Sequence, residues 1–269
     1  MFKFAVAQTQ CVYLSKEENQ RKILDIAEDA IEKGIDLIVF PEGVNLGYFL
    51  LEQDKGPEEK LDLALRIADD EDSEWTRGLS EMSRRGQIHI ACGSFLKNSE
   101  GKLVNTLLLF SPVGQIHAYN KTHLFHTKGI EEKDFVVPGD GLGVFHSGHF
   151  SIGLSICYDL NFPEVFRTLA LKGAQVILIA SAWPAMAGDV WDTLLPARAL
   201  ENQVCVLASN QTGGEYYGHS KIVDCTGKVL AGMDREEGFV VAEVDLARQE
   251  KWRRIVTYFD DRRRDLYGL

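Results

Sequence analysis

The sequence predicts an α/β protein built from two similar halves, and three observations carry that reading. Phe2–Thr9 alternates as a strand, the run from Ser15 to Gly34 has helical spacing, and Ile35–Phe40 is apolar except at Asp36. Phe150–Cys157, Pro163–Leu171 and Ala174–Ala180 repeat the same order of strand, helix and buried strand. The joins match as well: Lys33-Gly34-Ile35-Asp36-Leu37-Ile38-Val39-Phe40 lines up with Lys172-Gly173-Ala174-Gln175-Val176-Ile177-Leu178-Ile179. Such units pair parallel strands under a covering helix, and a continuous apolar strand is one buried on both faces. With no disordered linker in view, the 269 residues read as one domain, 1–269.

Each element has its local reason. Ser15 ahead of Glu17 and Glu18 marks a helix start with acid in the first turn. Ile23, Leu24, Ile26, Ala27, Ala30 and Ile31 supply its buried stripe, and Gly34 closes it. Glu58–Ala68 and Ser73–Arg85 read as helices; Trp75, Leu79 and Met82 form a core stripe on the second. Ile88–Phe95, Leu103–Phe110 and Gln115–Tyr119 read as strands, with Ser111-Pro112-Val113-Gly114 as a hairpin turn. In the second half, Asp159 or Asn161 can cap the helix that Pro163 begins, and Gly173 ends it. Val190–Asn202 is a helix, Val204–Ser209 a strand, Gly218–Leu230 a hairpin turning at Cys225-Thr226-Gly227-Lys228, and Phe239–Val244 a last strand. The tail Trp252–Leu269 is basic and aromatic, suited to packing on an acidic neighbour such as a second subunit.

Composition narrows the function. Hydrophobic residues at 45% and charged residues at 26% are ordinary for a globular protein. No apolar run approaches the ~20 residues of a membrane span, and Met1–Ala7 reads as a strand rather than a signal peptide. A net charge of −11 argues against nucleic acid or an anionic membrane as partner. Five cysteines without a pairing pattern point to a reducing compartment, read here as the cytoplasm.

Candidate chemistry gathers at strand ends. Cys157 stands where a buried strand turns into a helix, at the rim of the sheet, where backbone N–H groups flank a thiol nucleophile. A lone cysteine is otherwise a small buried hydrophobe. Glu42, in Phe40-Pro41-Glu42-Gly43, ends a fully apolar strand; desolvation there raises a carboxyl toward the range of a general base. In the register of the two halves, Glu42 and Ala182 follow equivalent strands. Lys121, in Tyr119-Asn120-Lys121-Thr122-His123-Leu124-Phe125, follows a strand and can set an ammonium beside a developing oxyanion. His123 and His126 have ligand spacing but no third partner, so no metal site is expected. Gly129-Ile130-Glu131-Glu132-Lys133-Asp134-Phe135 is a charge run, and Gly139-Asp140-Gly141-Leu142-Gly143 lacks the ending of a phosphate loop.

Taken in order, the Pro-Glu turn, Lys-Thr-His-Leu-Phe, and Cys-Tyr-Asp followed by Phe-Pro-Glu resemble the nitrilase, or carbon–nitrogen hydrolase, superfamily. Pro138-Gly139-Asp140, Ala197-Arg198-Ala199-Leu200-Glu201-Asn202-Gln203, Gly218-His219-Ser220 and Arg264-Asp265-Leu266-Tyr267 extend the likeness over nearly the whole chain. The resemblance implies a four-layer α-β-β-α sandwich, a homodimer or higher homo-oligomer, and no metal or organic cofactor. It also implies roles: Glu42 as general base, Lys121 as oxyanion cation, Cys157 as nucleophile and the Tyr158 backbone N–H as second oxyanion donor. The family's second glutamate falls shortly before Pro-Gly-Asp; spacing from Pro138 matches it to Glu132, with Glu131 the neighbouring alternative. A lysine in that trio would favour ionised Cys157 and oppose protonation of Glu42.

Cys-Tyr-Asp resembles the amidase branches, so the expected substrate is a small linear amide, cleaved to ammonia and a carboxylic acid in the ω-amidase manner. The alternatives are an N-carbamoyl amine hydrolase, a true nitrilase, or a non-catalytic scaffold that keeps the fold. Ser181-Ala182-Trp183-Pro184, with Trp191 and Asp192 beyond, resembles small-substrate amidases. Tyr48, Phe49, Ala182 and Trp183 are the expected pocket walls, with core packing the alternative for the aromatics. Arg167 and Arg198 lie within helices and read as structural ion pairs rather than substrate anchors.

Overall fold

The computed structural model describes residues 1–127 and 130–267; Gly129 of the charge run and the last two residues of the tail lie outside that set. The first half contains strand β1 (Phe2–Thr9), helix α1 (Lys16–Glu32), β2 (Leu37–Val39), α2 (Pro57–Ile67), the short β3 (Asp69–Asp70) and α3 (Glu74–Gly86). It continues through β4 (His89–Lys97), β5 (Leu103–Phe110), β6 (Ile116–Asn120) and the small pair β7 (His126–Thr127) and β8 (Ile130–Glu131). The second half contains β9 (Val144–His146), β10 (Ser151–Ile156), α4 (Pro163–Leu171), β11 (Val176–Ser181), α5 (Gly188–Asn202), β12 (Cys205–Gln211), β13 (Lys221–Val223), β14 (Val229–Gly232), β15 (Gly238–Val244) and α6 (Leu246–Ile255).

Register explains the two halves. β4, β2 and β1 are parallel neighbours, as are β10, β11 and β12. β5, β6 and β9 extend the edges antiparallel. The halves join along β1: Phe2–Gln8 pair antiparallel with β15, and Gln8 and Thr9 pair parallel with Asn210 and Gln211 of β12. Period-two alternation then sorts the side chains. Ala5, Ala7, Ile38 and Phe40 face α1 and α3, meeting Ile23, Ala27, Trp75 and Leu79. Phe4, Val6, Leu37 and Val39 face the other way, into a core shared with Ile152, Leu154, Val176 and Leu178, while Ile177 and Ile179 lie on the opposite face of their strand, with Gly153, on the side of Leu169 of α4. Helices therefore cover the outer faces of one large, continuous sheet whose two halves pack on each other, the layered α/β arrangement the resemblance implied. Among the described residues no helix is long and apolar enough to cross a membrane.

Several expectations need correction. Neither Asp159 nor Asn161 caps α4: a 3-10 turn, Cys157–Asn161, intervenes, and Phe162 takes the cap position without a side-chain bond. Asp159 instead bonds back to the end of β10. The 218–230 hairpin begins at Lys221, because Gly218 and His219 hold φ of 71° and 51°, outside strand geometry. The start of the basic tail is helical: Asp245 accepts from the Ala247 and Arg248 amides at 3.0 and 3.2 Å and starts α6. Asp192 does lie on the helix after the Ser181–Pro184 loop, where it pairs with Lys221 and accepts from the hydroxyl of Tyr217, whose backbone N–H donates to Trp183 O.

Candidate active site

Glu42 is held from behind. Phe40 N–H donates to Ala91 O and Val44 N–H to Gly93 O, both at 2.8 Å, so the Pro41–Glu42 turn lies along β4. A Cβ at Gly93 would stand 2.4 Å from Pro41 O and 2.7 Å from Glu42 Cα, so only glycine permits that approach. Gln211 Nε2 donates to Glu42 O at 2.7 Å from the far half.

Lys121 continues the β5–β6 ladder, its N–H donating to Asn105 O at 2.9 Å. Its own carbonyl accepts from Gly139 N–H at 2.9 Å, and a Cβ at Gly139 would fall 2.1 Å from Asn120 O. The Pro-Gly-Asp segment thus clamps the lysine's backbone.

Cys157 has φ of 44°, in the left-handed region that a side chain with a Cβ rarely adopts. The turn is fixed by Asp159, fully buried, whose Oδ2 accepts from Ile156 N–H at 2.9 Å and from Tyr119 hydroxyl at 2.7 Å. Its Oδ1 lies 2.8 Å from His123 Nδ1. Arg198 secures the other end of the turn, donating from Nε and Nη2 to Leu160 O at 3.1 and 3.0 Å.

These elements bring Glu42, Lys121 and Glu132 together. Lys121 Nζ lies 2.8 Å from Glu42 Oε1 and 2.8 Å from Glu132 Oε2, and none of the three side chains is exposed. Glu132 also accepts from Phe125 N–H at 2.6 Å. Its neighbour Glu131 turns outward to His126 and Lys133, so of the two it is Glu132 that faces the lysine. His123 and His126 take different carboxylate partners. Asn105, which the sequence reading missed, donates from Nδ2 to Glu42 Oε1 at 2.7 Å and to Glu132 Oε1 at 2.9 Å. The polar pair Asn105-Thr106 inside the largely apolar β5 was the available signal.

Electrostatics follow from this packing. Burial pulls on the Lys121 ammonium, but Glu132 and Glu42 outweigh it and hold its pKa well above an ordinary lysine, so it stays charged. Burial raises Glu42 above the usual carboxylate range against the pull of Lys121. Burial and then Glu42 push the Cys157 thiol up, again against Lys121. The expected pull of the lysine toward ionised Cys157 is present, but burial and Glu42 together outweigh it. At rest the proton belongs to sulfur.

Around this cluster, the Tyr48 ring centroid lies 5.8 Å from Lys121 Nζ, and Ala182 N–H donates to Glu42 Oε2 at 2.9 Å. Trp183 is buried, its backbone N–H on Asn210 Oδ1 at 2.6 Å and its ring 5.5 Å from Trp191. Phe49 packs edge-on against Phe95. Arg167 donates to Glu201 O and lies over the Phe259 ring, and Arg198 pairs with Glu201; both are structural.

A family model described as carbon-nitrogen hydrolase matches residues 3–254. The 2-oxoglutaramate amidase of Bacillus subtilis (strain 168) is 38% identical over 264 residues, covering 95% of each chain. Omega-amidase NIT2 of Bos taurus is 30% identical over 280 residues, covering 100% of this chain and 97% of its own. Among solved structures, a carbon-nitrogen hydrolase from Helicobacter pylori G27 superposes at TM-score 0.86 with 25% identity, covering 99% of this chain and 97% of that one. An amidase from Nesterenkonia sp. AN1, solved with acrylamide added to its active-site cysteine, superposes at 0.82 with 26% identity, covering 99% and 98%.

Proposed function

The chain belongs to the carbon–nitrogen hydrolase family, and from that premise we propose that it hydrolyses the terminal amide of a small linear ω-amide through a thioester on Cys157. The observation that carries the reading is one buried ammonium shared by two buried carboxylates, whose charges act on a cysteine held in a left-handed turn. The relatives named for 2-oxoglutaramate and ω-amides support the substrate class. Tyr48, Ala182 and Trp183 are the proposed walls of the substrate site.

In this reading Glu42 is the general base, Lys121 the oxyanion cation, and Glu132 the second acid that keeps Lys121 charged and aimed. With both Cys157 and Glu42 shifted upward, a free thiolate is not the resting species. Proton transfer and attack are then coupled: the S–H proton passes to Glu42 as sulfur bonds to the amide carbon. The oxygen's developing charge falls on Lys121 Nζ and the Tyr158 N–H. Glu42 returns the proton to the departing nitrogen, and ammonia leaves. Water, deprotonated by Glu42, cleaves the thioester to the carboxylic acid and restores the thiol.

The 269 residues act as one catalytic unit in this account. Five free cysteines support a reducing, cytoplasmic setting. The exposed aromatic and basic tail, with Tyr258, Leu266 and Tyr267 uncovered, supports a homo-oligomer. Ammonia release from short ω-amides, with carbamoyl amines and nitriles as contrasts, tests the proposal. Turnover of ω-amides alone agrees with it; turnover confined to carbamoyl amines or nitriles overturns it.

A further inference from the structure

We propose that Asn105 is a positioning residue that makes the two oxygens of Glu42 unequal, so that Oε2 is the atom that takes the proton from Cys157. The inference rests on the preceding reading of Glu42 as the base. A carboxylate oxygen has two lone pairs for hydrogen bonds. Glu42 Oε1 accepts from Lys121 Nζ at 2.8 Å and from Asn105 Nδ2 at 2.7 Å, which fills both. Glu42 Oε2 accepts from Ala182 N–H at 2.9 Å and has no second donor among the described residues. One lone pair remains open on Oε2 and none on Oε1. The same Ala182 amide also acts on Cys157, favouring its ionised form.

Asn105 is built for this task. Its amide nitrogen has two hydrogens, and each goes to a different carboxylate, Glu42 Oε1 and Glu132 Oε1. Asn105 Oδ1 is buried with no hydrogen-bond partner. Turning the amide over would not relieve it, because the oxygen would then face two carboxylate oxygens. The orientation is thereby fixed by charge. Lys121, in turn, uses two of its three N–H groups on Glu42 and Glu132, leaving the third for the substrate oxygen. In the transfer, the S–H bond breaks, an O–H bond forms on Oε2, and the proton later leaves the same oxygen for the amide nitrogen.

Without Asn105, Oε1 regains an open lone pair, and Glu42 loses a hydrogen bond that favours its anion. The test is kcat/KM against pH for wild type, Asn105→Ala and Asn105→Asp on an ω-amide the protein hydrolyses. The acid limb moves to higher pH in Asn105→Ala, and kcat at neutral pH falls about ten- to a hundredfold with KM nearly unchanged. Asn105→Asp, close in shape, offers at most one O–H to the two glutamates, so its limb moves the same way; it decides the matter should the alanine variant fold poorly. An acid limb at the wild-type pH in every folded variant overturns the inference, as does a loss of activity uniform across pH. Cys157→Ala in the same assay separates the two levels. If it is inert while the limb stays fixed, only the role of Asn105 is lost; if it turns over substrate, the underlying reading falls too.

Discussion

The amide of Ala182 donates to Glu42 Oε2 at 2.9 Å, and these two residues follow equivalent strands, β11 and β2, in the two halves of the chain. The site is therefore built across the seam between the halves. Gly93 of β4 lines the same seam, its missing Cβ facing Pro41 O, Glu42 Cα and Ala180 Cβ. Neither half alone holds Glu42 in place.

Gly93→Ala tests that seam. The added methyl meets backbone at 2.4 Å, which nothing flexible can relieve, so Glu42 must shift. The expected result is a loss of about 1–3 kcal/mol in stability and of roughly a hundredfold in kcat. Denaturant midpoints and steady-state rates measure both. Wild-type values would show that the close approach does not matter.

The buried ion cluster predicts an order of stabilities. Lys121→Met leaves Glu42 and Glu132 buried without their cation and should cost about 3–5 kcal/mol. Glu132→Gln leaves one ammonium facing one carboxylate and should cost clearly less. Both variants should be nearly inactive. Urea titrations that rank the glutamine variant as the less stable would contradict this charge arrangement.

Activity should depend on pH with a definite sign. Glu42 works as a base only when ionised, and burial raises its pKa, so activity falls as pH drops through a value above the usual carboxylate ~4.3. The Cys157 thiol is also raised, so its alkylation by iodoacetamide should show no step near the free-thiol ~8.5. A step there, or an acid limb at an ordinary carboxylate pKa, would count against the electrostatics described here.

Asp159 should matter through the turn rather than through the substrate. Asp159→Ala strands the Ile156 N–H inside the core, at about 1–3 kcal/mol when unpaired, and leaves the Tyr119 hydroxyl to Thr122 alone. The expected outcome is lower stability and lower kcat, with partial recovery in Asp159→Asn, which keeps an acceptor. An alanine variant as stable as wild type would remove Asp159 from the account of the Cys157 turn.

How much of this was legible in the sequence depended on whether local pattern or distant packing decided each residue. The two halves were readable because apolar period switches from two to 3.6 and back, with Gly34 and Gly173 marking the joins. Helix α6 was not, since only Leu246 and Gln249 of it are buried and no apolar stripe announces it. Asp159 was read by its local habit of capping, whereas a tertiary contact with Tyr119 claims it. Spacing selected Glu132 over Glu131, but only packing separates a glutamate facing Lys121 from one facing His126. Asn105 was hidden because an asparagine in a strand looks the same whether it meets solvent or two carboxylates. The upward shift of Cys157 needed burial, a quantity that sequence order does not contain.

The central claim is a covalent acyl group on one sulfur. Acid-quenching the protein during turnover of a short ω-amide and mapping the intact adduct by mass spectrometry tests it most directly. The account predicts a thioester on Cys157 with the mass of the substrate less ammonia, absent from Cys157→Ala. Sustained turnover with Cys157 unmodified, or with the acyl group on any of the other four cysteines, would contradict it.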